Sequence, residues 1–287
     1  MSTASGERWK TMPETVSVSP GVSAAPKTPS PAYRAWQGAQ RRRRMLIALS
    51  RIALLGLFLA AWEIAPRMEW VNPMLTSYPS AVWQATAELI GDGQLWSNLW
   101  VTLVEVVISF AAAMIGGTAI AVALWMSPAL ERVLDPFLVV LNALPKIALV
   151  PIFYIWLGPT GSIYAVAIAV SVFITILMLY TGFRQTDPNK VKLVRTMGAS
   201  RAQVLGKVVL PGNIDTFTAA LKANVGLSLV GVIVGEFQAS TAGLGYLIVY
   251  GSQIFRMDMV MAAIVVLGVI SIAIYLLIQM LERRLAR

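Results

Sequence analysis

Apolar positions in this chain gather into runs longer than a globular core helix needs. A helix that crosses a bilayer requires about 20 predominantly apolar residues. Six stretches qualify: 45–64, 99–126, 133–157, 162–183, 217–237 and 259–281. The pattern predicts an all-α, polytopic membrane protein with six transmembrane helices. The third run carries Pro145 and Pro151, so broken helix is expected there. Two shorter features lie between runs. Residues 79–91 open on Pro79, which suits a first helical turn, and place Val82, Ala85, Leu89 and Ile90 on one face. That segment is too short to cross and reads as an interfacial helix. Residues 184–215 form the single long polar stretch between runs. Residues 1–44 hold Pro13, Pro20, Pro26, Pro29 and Pro31 with no apolar period. Such a segment buries too little surface to offset its ordering entropy and is predicted to be a disordered tail.

Charge orients this pattern. The 287 residues are 57% hydrophobic and 13% charged, with 23 Lys and Arg against 14 Asp and Glu, a net charge of +9. A nucleic-acid binder carries its basic residues as a dense stripe on a polar fold; here they are sparse and lie between apolar runs. No nucleic-acid partner is expected, and the membrane takes its place. Basic loops stay on the cytoplasmic side. With both termini inside, eighteen basic residues fall on inner segments and Arg67 and Arg256 alone fall outside. The expected topology is therefore N-in and C-in, with 184–215 cytoplasmic. Arg41 to Arg44 followed by an apolar run and Leu59-Ala60-Ala61 also resemble a cleavable signal. More apolar runs follow, and Trp62-Glu63 is a poor cleavage context, so the first run reads as a spanning helix.

Composition also removes chemistry. The chain has no Cys and no His, which excludes disulfides, Cys/His zinc sites and imidazole-based triads. Gly206-Lys207 is followed by Val208 and lacks the glycine five residues before, so no phosphate-cradling loop is present. Acidic residues are scattered at the ends of runs. No catalytic residue, metal site or bound cofactor is expected, and the chain is not read as an enzyme. A stand-alone secondary transporter or channel is the alternative reading. Such proteins often repeat a motif across two halves, and neither the polar loop nor the Leu144-Pro145-Lys146 run recurs.

The polar loop carries the most specific pattern. Gly198 is followed, after nine intervening residues, by Val208, then by Leu210-Pro211. This spacing resembles the signature loop of permease subunits of binding-protein-dependent ABC importers, whose pattern is Glu-Ala-Ala, three residues, Gly, nine residues, Ile, one residue, Leu-Pro. Lys192, Leu193 and Val194 stand where the family has Glu-Ala-Ala. Leu144 to Pro151 with Trp156-Leu157-Gly158, Gly235-Glu236-Phe237, and Gly243-Leu244-Gly245-Tyr246 are similar to further family segments. The subgroup resembled imports nitrate, sulfonates, taurine and thiamine-precursor-like solutes.

The resemblance implies a type I ABC importer permease architecture. Residues 1–44 would be a basic cytoplasmic tail, 45–94 the first transmembrane helix and outer loop, and 95–287 the permease domain. It implies three partners: ATP-binding cassette ATPase subunits, an extracytoplasmic solute-binding protein, and a second permease copy as a homodimer. ATP would be used by the ATPase subunits. Lys192, Leu193, Val194, Gly198, Ala199, Ser200, Val208, Leu210 and Pro211 would form an ATPase-coupling helix pair. Close backbone approach is expected at the small residues 198–200, and a helix stop at Leu210-Pro211.

Polar groups inside spans are functional suspects by default. Asn142, Pro145, Lys146, Asn224 and Glu236 are candidate translocation-pathway residues, Lys146 as the draw for an anion. Glu105 and Glu236 are placed near outer ends within reach of water. Lys222, one turn into its run, is expected to snorkel. Gly116, Gly117, Gly226, Gly231 and Gly235 are expected at close helix contacts. Trp62, Trp70, Trp83, Trp96 and Trp100 are expected to form an aromatic interface belt.

Overall fold

The computed structural model describes residues 31–285. All regular structure among them is helical: α1 (Pro31–Arg67), α2 (Pro73–Thr76), α3 (Pro79–Gly91), α4 (Gln94–Met126), α5 (Pro128–Ala143), α6 (Val150–Arg184), α7 (Pro188–Thr196), α8 (Arg201–Val204), α9 (Leu210–Gly212), α10 (Ile214–Ala239), α11 (Leu244–Gln253) and α12 (Met257–Leu285). A 3-10 turn, Lys146–Leu149, precedes α6, and a π turn, Leu205–Val209, joins α8 to α9. The chain divides into two units, 1–58 and 59–287. The described part of the first is the opening of α1, where Tyr33 and Trp36 stack at 5.8 Å. α1 starts at Pro31, so helix already occupies the last part of the expected tail; residues 1–30 lie outside the described residues. The sequence after Pro31 is rich in Ala, Gln and Arg, all good helix formers, and it extends an existing helix without a new nucleation cost.

Among the described residues, five helical segments are long and apolar enough to cross a membrane: 36–67, 94–126, 146–184, 214–239 and 257–280. The run 133–157, expected as one span, is instead divided between α5, the 3-10 turn and the start of α6. Leu144 is extended (ψ 137°) because a residue before proline is pushed out of the α region. Pro151, the other expected breaker, sits in the first turn of α6, where its missing N–H costs nothing. The second break falls later, at Gly158 (φ 73°, ψ −179°), immediately before Pro159.

Within 59–287, α6 packs along both α4 and α10, and these three form the centre of the unit. Small residues set their separation. A Cβ on Gly231 would lie 2.6 Å from Ala167 Cα, one on Gly235 2.8 Å from Ile163 Cα, and one on Gly117 2.7 Å from Thr175 Cβ. Gly116 and Gly226 do not share this role: a Cβ on either meets nothing within 4 Å. One apolar core gathers Leu124, Ile176, Leu179, Phe183, Val204 and Val209 at the α7–α9 end. Another joins α3, α11 and α12 through Val82, Leu89, Leu244, Leu247, Met259 and Ala262. Ile90 leaves the expected α3 face and is 46% exposed, since each helical residue turns by about 100° from the last. Of the five tryptophans, four are exposed, while Trp62 is half-buried and donates its indole N–H to the Thr76 carbonyl at 3.4 Å.

Candidate functional site

The segment 184–215 folds as a bent helix pair, and each bend has a local cause. Asp187 caps α7 by accepting the Asn189 N–H at 2.8 Å, and Pro188 takes the first helical position. The helix closes with Gly198 N–H donating to Arg195 O (2.9 Å) and Ala199 N–H to Val194 O (3.2 Å). This is the Schellman pairing, which needs a left-handed residue at its centre. Gly198 supplies it with φ 85°. Ser200 then starts α8 through a reciprocal capping box: its hydroxyl accepts the Gln203 N–H, and Gln203 Oε1 accepts the Ser200 N–H at 2.8 Å. Gly198 is therefore required by backbone conformation. Within this chain nothing approaches it closely: a Cβ there meets nothing within 4 Å.

The helix stop expected at Leu210-Pro211 also differs. The chain remains helical through Leu210–Gly212 and leaves the helix at Asn213 (φ −120°). Proline is accommodated because the preceding turn has widened to a π turn, with Leu210 N–H reaching Leu205 O. Widening relieves the clash between a proline ring and the preceding turn. Asn213 holds the exit by donating to Val209 O and Thr186 Oγ1, both at 2.8 Å.

The pair has two faces. Val194, Ala199 and Val208 turn inward onto the apolar core. Lys192, Leu193, Gly198, Ser200, Leu210 and Pro211 are exposed. Leu193 is 63% exposed and Met197 78%. They are four residues apart and share the outer face of α7. Met197 was not singled out from the sequence; its spacing from Leu193 is the signal that would have found it.

The five candidate pathway residues fall into three places. Asn142, Pro145 and Lys146 lie at the break between α5 and α6. Lys146 is half-buried, donates its ammonium to the Asn142 carbonyl, and sits 5.4 Å from the Phe173 ring centre. A cation at the exposed carbonyl end of a helix is favourable, so Lys146 caps α5. Asn224 lies in a buried polar seam between α10 and α6. It donates to Thr175 Oγ1; Ser228 approaches Asn224 Oδ1 at 3.4 Å and Ser171 Oγ at 3.0 Å; all four residues are fully buried.

Glu236 lies at the far end of α10, 1% exposed, and Glu105 is buried beside it. Both side chains are buried, where positions open to solvent were expected. Glu236 Oε1 accepts the Thr102 hydroxyl at 2.7 Å, and Oε2 accepts the Gly245 N–H at 2.5 Å. Thr102 Oγ1 accepts the Leu244 N–H at 2.8 Å, and Asn98 Oδ1 the Gly243 N–H at 2.7 Å. Side chains of α4 and α10 thus cap the first turn of α11, satisfying donors that have no intrahelical partner. Any Cβ at Gly243 or Gly245 would run into the Glu236 side chain, so both glycines are needed for the carboxyl to reach the backbone. Glu236→Ala strands these buried donors, at about 1–3 kcal/mol for each unsatisfied group. It is expected to lower the thermal unfolding midpoint of the detergent-purified chain by several degrees. An unchanged midpoint would show that the clasp contributes little.

Among the described residues, no group of three or more acidic residues could hold a metal ion. What the geometry offers is an exposed, partly apolar face at one end, a polar seam and clasp inside, and a lysine at a broken helix.

Comparison with known proteins is consistent with that layout. Residues 113–287 match the family described as binding-protein-dependent transport system inner membrane component. The taurine transport system permease protein TauC of Escherichia coli is 26% identical over 249 residues, covering 85% of this chain and 90% of that one. The formylaminopyrimidine transport permease protein ThiX of Halalkalibacterium halodurans is 29% identical, covering 71% of this chain and 81% of its own. A solved chain of the inward-facing MetNI methionine ABC transporter superposes with a TM-score of 0.59 at 16% identity. The match covers 66% of this chain and 95% of that one, which shows a shared fold.

Proposed function

Because the chain belongs to the family of inner membrane components of binding-protein-dependent transport systems, we propose that it forms the membrane path of an ATP-driven importer for taurine or a similar small sulfonate. The observation that carries the coupling half of this reading is the α7–Gly198–α8 pair, which presents Leu193 and Met197 to solvent beside a bend with open space around it. Exposed apolar side chains on a rigid helix pair suit a groove on another protein. The partner is an ATP-binding cassette subunit, which hydrolyses ATP; this chain binds no cofactor of its own. An extracytoplasmic binding protein delivers the solute, and a second copy of the chain completes the pore.

In this reading α5, the 3-10 turn and the first residues of α6 up to Gly158 together make the third crossing. That gives six crossings with both termini inside, as the distribution of basic residues favours. The solute class is supported by near full-length similarity to TauC and by Lys146, whose ammonium suits the anionic sulfonate of taurine.

The test is reconstitution of the chain with its ATPase and binding protein in proteoliposomes. Taurine or an alkyl sulfonate should stimulate ATP hydrolysis and accumulate inside. Accumulation that persists without the ATPase would return the chain to the stand-alone transporter class. Lys146→Met should lower initial sulfonate uptake about tenfold, the loss of one charge-assisted contact, while Lys146→Arg retains most of it. Equal uptake by wild type and Lys146→Met would leave Lys146 as a helix cap alone.

A further inference from the structure

Two buried carboxyls meet where α4, α10 and α11 pack together. Thr102 and Glu105 lie one turn apart on α4 and share a face. Thr102 bonds Glu236 at 2.7 Å, and the same face brings the Glu105 carboxyl into hydrogen-bonding range of Glu236. Glu105 is 5% exposed and Glu236 1%. Among the described residues no Lys or Arg pairs with either carboxyl. The other polar neighbours are Tyr164 on α6 and the backbone of Gly245 and Tyr246 on α11. None of them brings a positive charge.

The two carboxyls are not equivalent. Each Glu236 oxygen accepts a hydrogen bond, one from the Thr102 hydroxyl and one from the Gly245 N–H. Glu105 has no such supply: its Oε2 is buried and receives no donor. Buried polar atoms are almost always paired. A second anion in contact with Glu236 would also add like-charge repulsion where no water screens it. A proton on Glu105 removes both faults. It turns the orphaned acceptor into a donor, and each Glu236 oxygen keeps a lone pair to receive it.

We propose that Glu105 and Glu236 form a binding site for one proton, carried on Glu105 and donated to Glu236. The pair then holds one negative charge instead of two. Glu105 joins Thr102 as a second donor from α4 to the carboxylate that caps α11. Glutamine at position 105 is neutral and offers an N–H in the same place, so it serves as a mimic of the protonated acid.

The experiment is infrared spectroscopy of the full chain, purified in a maltoside detergent at neutral pH. The protein is grown with glutamate carrying a heavy carbon isotope at the side-chain carboxyl. Solvent-exposed glutamates are ionised at that pH and give no acid band. Wild type should show the C=O stretch of a protonated carboxylic acid, moved by the isotope. Glu105→Gln should lose this band and keep the wild-type unfolding midpoint. Glu69→Gln, which alters an exposed glutamate, should keep both. Absence of an isotope-sensitive acid band in wild type would mean that both carboxyls are ionised. That result overturns the proposal whether or not any variant folds. A band of full size in Glu105→Gln would place the proton away from Glu105 and overturn it as well. The assay needs neither solute nor ATPase, so its outcome is independent of the importer reading.

Discussion

Gly231→Leu is expected to abolish recovery of folded protein, whereas Gly226→Leu, five residues earlier on the same helix, is expected to be nearly silent. The contrast rests on what each glycine faces. A Cβ at position 231 would stand 2.6 Å from Ala167 Cα and 3.3 Å from its backbone nitrogen. Backbone cannot swing aside as a flexible side chain can, so α10 must move away from α6. Overpacking of this kind costs about 1–3 kcal/mol on its own, and more where backbone is displaced. Here the displaced interface also carries the seam in which Asn224 meets Thr175 and Ser228 meets Ser171. Each such bond within a membrane bundle contributes roughly 0.6 kcal/mol. Opening the seam also leaves buried hydroxyl and amide groups without partners. Against a total stability of about 5–15 kcal/mol, the combined loss is large. Position 226 faces open space, and leucine there is the better helix former. The measurement is the yield of monodisperse protein and its unfolding midpoint in detergent. A wild-type midpoint for Gly231→Leu would refute the account of α6–α10 packing.

The second large effect is on assembly. Gly198→Arg is expected to abolish co-purification of the ATPase subunit while the chain still inserts and remains monodisperse. Two terms act together. A non-glycine residue at φ 85° costs about 1–2 kcal/mol, which loosens the Schellman closure that sets the angle between α7 and α8. The added side chain also projects into the open space where a docked partner would lie. Gly198→Ala separates the terms, since it keeps most of the backbone cost and removes the bulk. It should weaken co-purification without eliminating it. Leu193→Asp and Met197→Asp, on the same exposed face, should resemble the arginine variant. Normal ATPase recovery with Gly198→Arg would mean that the partner engages another surface.

Much of this architecture is legible in the chain because the features concerned are local. The span 99–126 falls within α4, and the short helix opening on Pro79 ends at Gly91 as its pattern predicts. The bend at Gly198 is legible from spacing, although its cause is a left-handed backbone where small size was expected. Misreadings arise where one residue has two physical outcomes. Pro151 looks like a breaker, but a helix that starts at Val150 absorbs it in its first turn, and the break passes to Gly158-Pro159. Pro211 looks like a stop, but a widened turn lets the helix pass. The Glu236 clasp is illegible for a different reason. Its partner Thr102 lies 134 residues away, and no periodicity of either helix records that meeting. Charge alone suggested a hydrated glutamate, and only the three-dimensional arrangement supplies the donors that make its burial tolerable.

That clasp ties together residues that drift could not change one at a time. A side chain at position 243 or 245 needs the space now filled by Glu236, and a shorter residue at 236 leaves the Gly245 N–H uncapped while Asn98 and Thr102 still hold Gly243 and Leu244. Related chains should therefore vary at these three positions together or not at all. A chain with alanine at 245 is expected to carry a smaller residue at 236, together with a substitute cap on α11. The same rule gives a design constraint: grafting the 240–246 segment between permeases should succeed only when residue 236 travels with it.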